Sequence, residues 1–255
     1  GGMKDEPFNT GDSTPEEERA ARDALIEALS TALGDQLQAV YAFGSELGRG
    51  KGAGHPRVLV LLDRIDRATL DRISEHVTGA QKKGVRVRVD CTDNLLSGAD
   101  AFPSFALELR DSRKLLHGRD VLEGLEVDNK HLRLHVEQGL RGLHRDLIKA
   151  YVERGVRGDD VVELRRSTRR LLFLLEGALI SAGEPPPDKG SVESIVNAAC
   201  DALLPDEDRT PWNTLTRYAK GEGKLRGDDA KHLYGALLSA LPTIVGVVDR
   251  LPEHG

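Results

Sequence analysis

The sequence predicts an α/β (α+β) domain built on a small mixed sheet, followed by an all-α helical bundle. Three observations carry this expectation. Residues 15–122 run in the order helix, strand, Gly-Ser turn, strand, helix, strand. Strand-type alternation stops near His131, and from there apolar residues recur at helical spacing in segments joined by short connections. The expected organisation is a flexible leader over 1–14, an α/β domain over 15–128 and a helical bundle over 129–255.

The elements follow from local chemistry. Residues 3–14 are polar and offer nothing to bury, and Gly1-Gly2 ahead of Met3 read as a scar of tag removal. Ser13-Thr14-Pro15-Glu16-Glu17 is a helix start: a hydroxyl N-cap, Pro in the first turn, and acids at the positive end of the helix dipole. Ala20, Ala24, Leu25, Ala28, Leu29 and Leu33 repeat at helical spacing, and Gly34 ends the run. Leu37 to Phe43 reads as a strand leading into Gly44-Ser45, and Val58 to Leu62 as a second, buried strand. Asp66 is placed to cap a helix from Arg67 to about Thr78. Val85-Arg86-Val87-Arg88-Val89-Asp90 alternates as a strand, with Arg86, Arg88 and Asp90 on one face. Helices are then expected over 130–154, 159–182, 190–204, 211–220 and 228–249, with Gly- and Pro-containing connections suited to an antiparallel bundle.

Composition bounds the function. A chain of 255 residues with 39% hydrophobic and 31% charged residues is an ordinary globular composition. The net charge of −6 argues against bulk affinity for nucleic acid or membranes. No stretch reads as the ~18–20 apolar residues that span a bilayer, and no signal-peptide core stands near the start. Cys91 and Cys200 are far apart and form no metal spacing, so a reducing, cytoplasmic setting is expected.

The chemistry-bearing segment is Tyr41 to Asp63, where Phe43-Gly44-Ser45 is followed by a Gly/Arg-rich loop and an apolar strand. Further on, residues 102–122 run from an apolar stretch into Leu116-His117-Gly118-Arg119-Asp120. In order and content these segments resemble the DNA polymerase β-like nucleotidyltransferases, in particular the minimal and aminoglycoside types, over about residues 15–122. The resemblance implies a nucleotidyltransferase-like domain over 15–128. It implies a Ser hydroxyl and backbone N–H groups that hold a triphosphate, and an Asp-hydrophobic-Asp pair that holds two Mg²⁺ ions on one face of a strand. It also implies a helical domain forming the far wall of the cleft.

Here the positions of the Asp pair are Arg57 and Leu59, neither of which binds a cation. The expectation is therefore a catalytically degenerate protein, a pseudoenzyme without metal, which binds a nucleotide, another anion or a protein partner. The phosphate-facing set would be Gly44, Ser45, Arg49, Lys51 and Arg57, the guanidinium of Arg57 standing where a metal would. The alternative is an active transferase, moving an adenylyl group to a small molecule or protein, with Mg²⁺ held by Asp63, Asp66 or Asp90. Asp90 would then be the remnant of a third carboxylate on the neighbouring strand. Arg166, Arg169 and Arg170, with Arg165, form a basic stripe at i, i+4 spacing. That stripe serves either as a cleft wall for a polyanion or as a solvated face paired with Asp159, Asp160 and Glu163. His131 and His135 are also four apart, but no His-Glu-x-x-His arrangement accompanies them.

Overall fold

A computed structural model describes residues 14–44, 57–99, 103–154, 159–188 and 191–252. The described residues fall into two compact units, one ending at Glu126 and one beginning at Val127. The first is α+β, with a small four-stranded mixed sheet; the second is helical.

In the first unit, α1 (Pro15–Leu33) starts at a reciprocal capping box. The Glu17 N–H donates to Thr14 Oγ1 and the Thr14 N–H to Glu17 Oε2, both at 3.2 Å. Gly34 closes the helix at φ +54°, and a single 3₁₀ turn (Gly34–Gln36) delivers the chain to β1 (Leu37–Phe43). After β2 (Arg57–Leu62), Asp66 caps α2 (Arg67–Lys82) by accepting from the Thr69 N–H at 2.8 Å. Next come β3 (Arg86–Cys91), α3 (Thr92–Ser97), α4 (Pro103–Ser112) and β4 (Lys114–Gly118). The short helix α3, immediately after β3, has no counterpart in the sequence expectation.

The strand order is β3-β2-β1-β4. β1 runs antiparallel to β2 and β4, while β2 and β3 are parallel, as a crossover through α2 requires. One face of the sheet presents Val40, Val58, Val60 and Leu62 to Leu25 and Leu29 of α1 and Ile73 of α2, all nearly or fully buried in one core. Each such side chain contributes about 1.5–3 kcal/mol on burial. On the opposite face Tyr41, Leu59 and Leu61 are also fully buried, which explains why β2 is apolar at every position after Arg57.

The Leu116-His117-Gly118-Arg119-Asp120 segment has a structural explanation. Gly118, paired with Ala39, adopts φ +81°, and a Cβ there would sit 2.1 Å from the Gln38 carbonyl oxygen. Just beyond it, the buried Tyr41 hydroxyl donates to Asp120 Oδ1 at 2.7 Å and accepts from the Val121 N–H at 2.8 Å. Arg113 binds the same carboxylate through two N–H groups at 3.0 and 3.1 Å. Gly118 is thus a close backbone crossing, and Asp120 is the clasp that follows it.

The second unit contains α5 (Asn129–Arg154), α6 (Asp159–Ser181), α7 (Val192–Ala202), α8 (Thr210–Ala219) and α9 (Gly227–Asp249). α5 packs on α6 and α9, and α9 also meets α6 and α8. By length and composition α9 is long and apolar enough to cross a bilayer, which corrects the expectation that no stretch reaches that mark. Its apolarity has an internal cause: Leu233, Tyr234, Leu237, Leu241, Ile244 and Val248 are buried in the helical unit.

Candidate functional site

The sheet face opposite α1 and α2 is where an Asp-hydrophobic-Asp pair would project. In the antiparallel register Arg57, the first residue of β2, stands beside Phe43, the last of β1. In the parallel register it stands beside Arg86, so the three side chains share one face. The helix α4 closes over this face with Phe105 and Glu108, three residues apart and so on one side of the helix.

These residues interlock. The rings of Phe43 and Phe105 meet edge to face, with centroids 5.6 Å apart and planes at 78°. The Arg57 guanidinium lies 4.4 Å from the Phe43 ring centroid and is ion-paired with Glu108 through Nη1 and Oε1. Its Nη2 donates to Glu108 Oε2 at 3.4 Å. The Glu108 side chain is only 5% exposed, so a cationic partner such as Arg57 offsets the cost of burying its charge. The Arg88 guanidinium lies 4.0 Å from the Phe105 ring centroid. One further link runs along the backbone: Ser112 Oγ donates to the Glu108 carbonyl at 2.6 Å and accepts from the Gly44 N–H at 3.1 Å. The Gly of the Gly-Ser turn, at φ +126°, is thereby fastened to α4.

The remaining expected site residues distribute as follows. Ser45, Arg49 and Lys51 lie outside the described residues. Leu59 is fully buried. Asp90 pairs in register with Leu61, four residues along the strand from the Arg57–Arg86 pair, or about 13 Å at the usual strand rise. Its Oδ1 accepts from the Cys91 N–H at 2.8 Å. Asp63 is exposed at the other end of β2 from Arg57. Asp66 is committed to capping α2, and the hydrogen bonds from the Thr69 backbone and hydroxyl hold its carboxyl below the usual range. The structure therefore brings Arg57 together with Phe43, Glu108 and Arg86, and does not bring Asp63, Asp66 and Asp90 together at that point. Among the described residues, no three His, Cys, Asp or Glu side chains gather as a metal ion would need.

Arg166, Arg169 and Arg170 lie on α6 in the helical unit. Arg170 pairs with Asp146 of α5 at 2.8 Å, and Arg166 lies 3.9 Å from Glu163. Arg169 lies 5.4 Å from the Phe173 ring centroid.

Glu108 and Phe105 form the part of the site that sequence reasoning missed. The available signal was Glu108 itself, a carboxylate inside the apolar stretch Phe105-Ala106-Leu107-Glu108-Leu109. A charge in such a run needs a buried partner, and Arg57 was the unexplained cation. No protein-family model matches the chain, and a search of curated proteins finds no match either.

Proposed function

We propose that this chain is a catalytically degenerate protein of the nucleotidyltransferase type that binds the phosphates of a nucleotide without a metal ion. The observation that carries this reading is Arg57. At the first position of the expected metal-binding pair stands a cation, locked to the buried Glu108 and stacked on Phe43, with Leu59 buried at the second position. A divalent ion placed beside that guanidinium would meet repulsion rather than ligands.

Arg57 does not act alone. Glu108 offsets much of its charge, whereas its in-register neighbour Arg86 is exposed and has no ion pair among the described residues. Arg86 is therefore the stronger phosphate anchor, and Arg57 contributes the guanidinium N–H groups that Glu108 leaves unused. Titration of ATP, GTP and CTP into the wild-type chain and into Arg86→Ala tests this. Saturable binding that weakens about tenfold in the variant is expected, the loss of one charge-assisted contact. Absence of binding in the wild type, or transfer of a nucleotidyl group in the presence of Mg²⁺, overturns it.

A further inference from the structure

Beyond Phe105 on the first unit lies a cavity of about 80 Å³ whose wall is divided by chemistry. Its floor is apolar: Leu95, Ala99, Ala106, Leu109 and Leu125 all line it, and each is less than 9% exposed. Arg88, Asp90 and Asn94 also line it and supply its polar side. Arg88 and Asp90 are two apart on β3 and so on one face of the strand.

The two charged groups are close without being bonded. Arg88 Nη2 lies 3.9 Å from Asp90 Oδ2, past hydrogen-bond reach, and the Phe105 ring beneath the guanidinium helps fix where it points. Asp90 Oδ1 is occupied by the Cys91 N–H, which leaves Oδ2 as an acceptor beside a guanidinium with donors to spare. A lone anion brought here would meet Asp90, and a lone cation would meet Arg88. A ligand carrying both charges on neighbouring atoms satisfies both groups at once.

Size narrows the ligand further. At about 80 Å³ the cavity has room for a small group only. That suits a branched aliphatic side chain, whereas pockets for drug-sized ligands and cofactors are usually about 300–1,000 Å³. We propose that this cavity binds a free aliphatic α-amino acid, with the carboxylate on Arg88, the ammonium on Asp90 and the side chain on the apolar floor. Amino-acid binding here stands independently of nucleotide binding at Arg86 and Arg57.

Calorimetric titration of L-leucine into the full chain, in the absence of nucleotide, provides the test. Isocaproate lacks the ammonium of leucine and isoamylamine lacks its carboxylate, so both serve as probes. Saturable leucine binding is expected, with either single-charge analogue at least about tenfold weaker, as expected for loss of one charged hydrogen bond. Asp90→Asn keeps the shape and weakens leucine by a similar factor, and Ala106→Leu fills the floor and abolishes binding. Urea unfolding of both variants shows that they remain folded. No saturable leucine binding to the wild type overturns the assignment, as does equal binding of isocaproate, or leucine affinity unchanged in Asp90→Asn.

Discussion

Arg57 of β2 is ion-paired with Glu108 of α4, and the pair ties the sheet to the helix that covers it. With the Glu108 side chain 5% exposed and that of Arg57 21%, the carboxylate is the more deeply buried member of the pair. The pair therefore has two consequences: it places a cation where the resemblance implies metal ligands, and it anchors α4 beside Phe43.

Arg57→Ala removes an ion-pair partner of the buried Glu108 carboxylate and should cost about 3–5 kcal/mol of stability. Removing both charges together, as Arg57→Met with Glu108→Leu, should recover most of that loss, because no carboxylate is then buried at that site. Urea unfolding of the two single variants and the double variant measures it. A double variant as unstable as the sum of the singles would show that the two residues act separately.

Tyr41 and Asp120 shift in opposite directions. Burial, followed by the hydrogen bond to Asp120, pushes the Tyr41 phenol up to about 12. The Arg113 hydrogen bonds, ahead of that from Tyr41, hold Asp120 down to about 2 despite partial desolvation. A carboxyl lowered on folding stabilises the protein above its unfolded value near 4 and loses that contribution as pH falls toward 2. A phenol raised on folding contributes below its unfolded value near 10 and loses that contribution as pH rises through 12. Asp120→Asn should flatten stability between about pH 4 and 2, and Tyr41→Phe should remove the alkaline loss. Denaturation midpoints followed across pH check both signs.

Gly118→Ala should destabilise by about 2–3 kcal/mol, combining a left-handed backbone with a contact that only movement can relieve. Gly79→Ala, inside α2 with nothing within 4 Å of the added carbon, should instead stabilise by about 0.5–1 kcal/mol. Thermal unfolding of the pair separates a crossing that demands glycine from a helix position that merely contains one.

What the sequence made legible was whatever local chemistry decides. Thr14 with Glu17, and Asp66 before Arg67, are capping signatures that need no tertiary information, and both helices start where they were expected, although α2 runs on to Lys82 rather than ending near Thr78. The apolar run after Arg57 marked a strand buried on both faces. The partnership of Arg57 with Glu108 was not legible, because it joins positions 51 residues apart through a helix whose facing direction depends on packing. The helix α3 was hidden for a different reason: its six residues are too few to display a helical period. The end of α7 at Ala202, earlier than the expected 204, follows from Leu203 and Leu204 turning in to be buried after the helix has closed.

Calorimetric titration of ATP in excess Mg²⁺ and again in EDTA decides whether phosphate binding needs a metal. If Arg57 and Arg86 hold the phosphates, binding persists in EDTA and is no weaker than with Mg²⁺, since the metal competes with the guanidinium groups for the same oxygens. Binding that appears only with Mg²⁺ would overturn metal-free binding and make the carboxylates Asp63, Asp66 and Asp90 candidate ligands.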